Sequence, residues 1–299
     1  MAEYVSSNGG TSFTLQTHAV SWAPESDGTA GPIVPLLGGD FGAGYVTPNS
    51  NPAFQANSLS SPSDDSEGNA ASYATLNPAP ASAYTVGNLG GEFASQVTGS
   101  TGVLGVFEAQ TGTGNSPCPS SAPAALVYAY APITASTTIA QLNTTTGGSG
   151  SPWEALAEVD CDGINPAVGG GPSGLGLLET DISTTPETIQ YRGFSPASGF
   201  AAPVTVASDE QGGDPVLSQD GTGGIYATWL DGGTGVDLAY SSTAGASWTG
   251  PDTLSSNSGD PSEIGSLASA VNGSGQGWAV YAANGTEYAQ EFDKSDAEP

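Results

Sequence analysis

The feature that most constrains this chain is an internal period of 48 to 49 residues in its second half. The copy that starts at Asp214-Pro215 continues through a tyrosine at 240, an aromatic at Trp248 and a proline at 251. The copy before it starts at Asn165-Pro166 and places Tyr191, Phe200 and Pro203 at matching points. A third copy opens at Asp260-Pro261, with apolar runs at Leu267–Val271, Gly277–Tyr281 and Thr286–Gln290. Each copy holds four short apolar or β-branched runs divided by Gly, Asn, Asp or Pro, which reads as four strands joined by turns. A four-stranded sheet of this size cannot bury both faces alone, so repeated copies must stack on one another. That is the signature of a β-propeller blade.

The same four-run pattern extends toward the amino terminus in looser form. Ile33–Leu37, Phe41–Val46, Phe54–Asn57 and the Tyr73 and Tyr84 segments make one unit. Phe93–Val97, Val103–Phe107, Ala125–Tyr130 and Ile139–Leu142 make another, with an insertion around Cys118. The expectation is an all-β propeller of five four-stranded blades, with six or seven as alternative counts. It forms a single domain over residues 1–293, with residues 1–20 completing the last blade and 294–299 forming a polar tail. The chain holds 44 Gly and 22 Pro, a composition that leans toward disorder, but its 24 aromatics recur in the apolar runs and argue for a packed fold. Gly or Pro interrupts nearly every window long enough for a helix.

A resemblance sits in the turn between the third and fourth strands. Ser241, Thr243, Gly245 and Trp248 follow the spacing of the Asp box, S-x-D-x-G-x-x-W, with Thr in place of Asp. Ser6, Asn8, Gly10 and Phe13 resemble the box again, with Asn for Asp and Phe for Trp. The sequence therefore resembles the Asp-box, or BNR-repeat, sialidase-like propellers. In that family the polar side chain bonds the amides of its own turn, the glycine takes a left-handed corner and the aromatic packs between blades. These roles are structural, so the resemblance implies a fold and not an activity.

Sialidase activity in that superfamily needs three arginines around the substrate carboxylate, and this chain has one, Arg192. Arg192 is expected on a third strand in a partly exposed ion pair. Carboxylate-only glycoside hydrolysis needs two facing acids about 5 to 9.5 Å apart. Trp22-Ala-Pro-Glu25 is similar to a WAPD element of arabinan-degrading propellers, and Asp214 and Asp260 open strands near the expected axis. A serine triad would depend on His18, the only histidine, and no nucleophile-elbow pattern accompanies it.

Charge narrows the partners. Thirty carboxylates against two Lys and Arg give −28 at neutral pH. With no basic patch to displace counterions, nucleic acid is excluded as a partner, and no apolar run is long enough for membrane insertion. Cys118 and Cys161 lack any metal-binding pattern and are expected to form a disulfide, which places the protein in an oxidising compartment. The expected location is secreted or cell surface, with the export leader, absent from this sequence, taken as removed. The polar amino terminus itself does not read as a signal peptide. No cofactor is expected. Asp64, Asp65 and Glu67 form a polar acidic loop that is a weak calcium candidate, and Asp160-Cys161-Asp162 is a second acidic cluster. Asn143, Asn272 and Asn284 head N-glycosylation sequons.

The functional expectation is a noncatalytic extracellular binding or surface-structural propeller, presenting its loops and aromatics to a glycan or protein surface, or to copies of itself. A carboxylate-dependent glycoside hydrolase is the alternative, and a surface-layer or filament subunit the second.

Overall fold

In the computed structural model, the described residues are 4–5, 14–15, 30–37, 40–46, 52–57, 74–76, 92–96, 102–109, 118, 122, 125–154, 157–208, 212–231, 235–256, 264–283 and 286–297. Strands β1 (Tyr4–Val5) and β2 (Thr14–Leu15) pair as a hairpin of their own. Five antiparallel meanders follow in chain order. Blade I holds β3 (Ala30–Pro35), β4 (Phe41–Val46), β5 (Pro52–Asn57) and β6 (Ala74–Thr75). Blade II holds β7 (Glu92–Gln96), β8 (Gly102–Ala109), β9 (Ala125–Pro132) and β10 (Ala157–Asp160). Blade III holds β11 (Gly163–Gly171), β12 (Gly174–Asp181), β13 (Thr188–Ser195) and two outer pieces on β13, β14 (Gly199–Phe200) and β15 (Val204–Ser208). Blade IV holds β16 (Gly212–Gln219), β17 (Ile225–Asp231), β18 (Gly235–Ser241) and β19 (Thr249–Ser256). Blade V holds β20 (Ile264–Val271), β21 (Gly277–Ala283) and β22 (Thr286–Phe292).

The first strand of each blade packs on the first strand of the next, β3 on β7, β7 on β11, β11 on β16 and β16 on β20. This is propeller geometry, with each meander running outward from an inner strand. The core divides accordingly into four clusters, one per seam. Phe54, Leu76, Phe107 and Val127 fill the first seam, and Leu104, Leu126, Val168 and Leu177 the second. Leu178, Ile189, Trp229 and Ala239 fill the third, and Tyr226, Leu238, Tyr281 and Phe292 the fourth. Alternation along each strand sends odd and even positions to different seams, so every inner blade is apolar on both faces.

Two sequence expectations are revised. Ile139–Leu142, read as the fourth strand of blade II, is a short helix (α1) opened by a reciprocal capping box between Thr138 and Gln141. The fourth strand comes later, at β10, and the intervening segment folds back on blade I. Its Trp153 is buried against Phe54 with ring centroids 5.1 Å apart, and its indole N–H donates to the Leu142 carbonyl at 2.8 Å. Asn143 accepts from the Ala56 amide at 2.7 Å and donates to its carbonyl at 3.1 Å, so its side chain supplies a strand-like pairing to β5. Lys294–Ala297, expected as a polar tail, form a 3-10 turn whose Ala297 is buried beside Leu238 and Phe292. No helix among the described residues is long and apolar enough to cross a membrane.

Candidate functional site

The hairpin between β18 and β19 is tied together by its own side chains. Ser241 Oγ accepts from the Gly245 amide at 2.9 Å and from the Thr243 amide at 3.2 Å, and Thr243 Oγ1 accepts from the Ser247 amide at 2.9 Å. Thr243 thus serves as an acceptor within the turn. The left-handed corner spans two residues, Ala244 at φ 53° and Gly245 at φ 84°. A Cβ on Gly245 would lie 2.0 Å from the Tyr191 ring, so close approach and backbone geometry both require glycine. Trp248 is half-buried, edge-on to Tyr191 of blade III at 5.4 Å. Phe200 of blade III makes the equivalent contact one seam earlier, edge-on to Tyr128 of blade II at 5.1 Å. The repeat alignment therefore places both aromatics against the third-strand tyrosine of the preceding blade. Both are only partly buried, less than full seam-filling side chains would be.

Ser6, Asn8, Gly10 and Phe13 lie outside the described residues, as do Asp64, Asp65, Glu67, His18, Trp22–Glu25 and Asp260. Cys118 and Cys161 are joined in a disulfide with Cα atoms 5.3 Å apart. Glu158 lies beside them, but two sulfurs bonded to each other offer no thiolate, so this trio is not a metal site.

The seam between blades II and III gathers the chemistry that the sequence left scattered. Along β13, Gln190, Arg192 and Phe194 share the face turned to blade II, because side chains alternate along a strand. Arg192 is buried, not partly exposed as expected from sequence. Its Nε donates to Glu179 Oε1 on β12 at 2.5 Å, and its Nη2 donates to Asp160 on β10 of blade II. The single arginine thus ties two blades together. Glu179 is fully buried, and its second oxygen has no partner. A Cβ on Gly163 would sit 2.7 Å from that oxygen, so the glycine leaves it room. Burial pushes the Glu179 carboxyl up to about 7, with Asp160 and Asp181 adding to the rise, against the opposing pull of Arg192. Nearby, Glu108 accepts from the Asn165 amide at 2.7 Å, a second polar tie across the seam.

Next to Arg192 on the same face, four aromatics meet. Phe194 lies 5.5 Å from Tyr128, 5.0 Å from Tyr130 and 5.1 Å from Phe200. Tyr130 is buried, whereas Tyr128, Phe194 and Phe200 keep part of their rings in solvent. Glu154 is exposed close by, and its charge helps to raise the Tyr128 and Tyr130 hydroxyls after burial. The result is a partly open, ring-lined surface with a carboxylate acceptor at its margin. Sequence reasoning passed over this cluster. The signal was present as the paired tyrosines 128 and 130 on a third strand and the Phe194 to Phe200 hairpin, but their union across a seam was not visible.

No protein-family model matches the sequence, and no curated protein matches it. Solved structures do match. A lectin from Burkholderia pseudomallei shares 13% identity over 86% of this chain and 64% of its own, with a TM-score of 0.54. An ulvan lyase shares 12% identity over 86% of this chain and 67% of its own, with a TM-score of 0.52. The six-bladed, fucose-recognising lectin of Aleuria aurantia shares 12% over 86% of this chain and 74% of its own, with a TM-score of 0.50. At such identities the likeness speaks for architecture alone, and together with the five stacked meanders it identifies the fold as a β-propeller.

Proposed function

We propose that this protein is a secreted or cell-surface, noncatalytic propeller of degenerate Asp-box repeats that binds neutral glycans at the seam between blades II and III. The observation that carries the reading is the half-open cluster of Tyr128, Phe194 and Phe200 with Glu154 beside it. A pyranose face presents C–H bonds of slight positive charge to the negative face of an aromatic ring, and its hydroxyls donate to a carboxylate. With −28 net charge and two bases in the chain, anionic sugars are repelled while neutral ones are not. The Asp-box assignment is supported by the Ser241–Trp248 turn and by the repeated aromatic-on-tyrosine contact. The disulfide favours an oxidising location. Two of the solved structures of like fold are described as lectins and one as a lyase, so the fold leaves open both binding and catalysis.

Noncatalytic action is favoured by the state of the acid pair at this seam. Asp160 and Glu179 both grip the guanidinium of Arg192, and Glu179 has no solvent access. An acid held this way neither reaches a glycosidic oxygen nor activates water. The test is a glycan array followed by calorimetry on the best neutral oligosaccharide. Phe200→Ala is expected to weaken binding by about tenfold, the loss of roughly one aromatic contact, with the circular dichroism spectrum unchanged. Turnover of that oligosaccharide, or binding indifferent to both Phe200→Ala and Tyr128→Ala, refutes the proposal.

A further inference from the structure

The outward face of blade V carries the most exposed large apolar side chains among the described residues. Across its three strands the register aligns Ala270, Trp278 and Glu291 in one row, and Ala268, Val280 and Ala289 in the next. These six side chains are exposed, with Trp278 at 51% and Val280 at 45% the most open large apolar groups among the described residues. The hairpins of blades IV and V superpose through their Asp220-Gly221 and Asn272-Gly273 turns, in which the side-chain oxygen accepts the amides two and four residues on. By that alignment Trp278 takes the place of Tyr226, and Glu291 the place of Tyr240. In blade IV those two tyrosines pack together at 4.8 Å, inside the seam with blade V. Blade V has kept the aromatic and exchanged its neighbour for a carboxylate.

That exchange decides what can cover the face. A further blade, or a second copy of this chain, would bury Glu291 and the adjacent Glu287 without a counter-charge. Arg192 is already committed to two carboxylates, and Lys294 is the only other Lys or Arg in the chain. An unpaired buried carboxylate is too unfavourable for such a seam. A cation above an exposed indole, flanked by carboxylates, is attracted by both the ring face and the charges. Ala270 beside Trp278, and Ala268 and Ala289 on either side of Val280, leave the surface flat, suited to a ring and not to a bulky side chain.

We infer that the Trp278–Glu291 face of blade V binds a cationic amino-sugar glycan, the pyranose stacked on Trp278 and its ammonium group paired with Glu291. This face shares no residue with the seam between blades II and III, so the two readings stand or fall separately. The experiment titrates the intact protein, at low ionic strength, with a fully deacetylated glucosamine tetramer, its N-acetylated counterpart and tetralysine, following heat and tryptophan emission. The deacetylated tetramer is expected to bind and to shift the emission, with the acetylated one about fivefold weaker or more. Trp278→Ala should remove the emission shift, and Glu291→Gln should weaken the amine ligand about fivefold while leaving the acetylated one unchanged. Both positions are exposed, so folding is preserved and is checked by circular dichroism. Absence of binding, equal affinity for both tetramers, or tetralysine binding that survives Trp278→Ala overturns the inference. The Phe200→Ala variant, which weakens only the seam site, should leave this titration intact.

Discussion

Replacing Glu179 with glutamine isolates the energetic consequence of burying a carboxylate at the seam of blades II and III. In the folded protein this carboxyl is raised from 4.5 to about 7, chiefly by desolvation that outweighs the Arg192 guanidinium. A raised value means that the native state holds a proton over a range where the unfolded chain has released it. Stability from this group is therefore fully present below about pH 4.5 and is lost as pH rises through 7. Integrated between pH 5 and pH 8, the loss is about 2.5 kcal/mol, an upper figure because Arg192 and Asp160 relax with it. Glutamine keeps the shape and does not titrate. Urea unfolding of both proteins at pH 5 and pH 8 should show the variant gaining about 2 kcal/mol relative to the native chain at the higher pH. Taking the difference between the two proteins cancels the other carboxylates and the general self-repulsion of a −28 chain. A difference that stays constant across the two pH values would mean that Glu179 is ionised throughout. The seam would then rest on a full ion pair and not on a carboxyl near neutrality.

Two further outcomes follow from the same geometry. Trp248→Ala removes a half-buried indole from Tyr191 and should cost about 1.5–3 kcal/mol in denaturant unfolding, below the full core value; a change under about 0.5 kcal/mol would show that the hairpin does not brace the seam of blades III and IV. Cys118→Ser with Cys161→Ser opens a loop with a sequence separation of 43 and should lower stability by up to about 4 kcal/mol by chain entropy, and midpoints unchanged in urea would contradict a restraining role.

The 48-residue period, most of the strands and the disulfide partners were legible in the amino acids. They depend on neighbours close in the chain, on alternation of two and on turn chemistry, or on there being only two cysteines to pair. Ile139–Leu142 went wrong for a reason of the same kind. A four-residue segment with three apolar positions is too short for its period to separate strand from helix, and the Thr138–Gln141 capping box was the local clue. The fate of Arg192 was of another kind. Its place on a third strand was readable, but its burial depends on Glu179 from the neighbouring strand and Asp160 from another blade, 13 and 32 residues away. Likewise Tyr128 and Phe200 are two unremarkable aromatics until two sheets stack and bring their rings to 5.1 Å. In a propeller each blade is specified by its own sequence, whereas every seam is made by two. The blades could therefore be read from the chain, and the candidate site between them exists only once the sheets have packed.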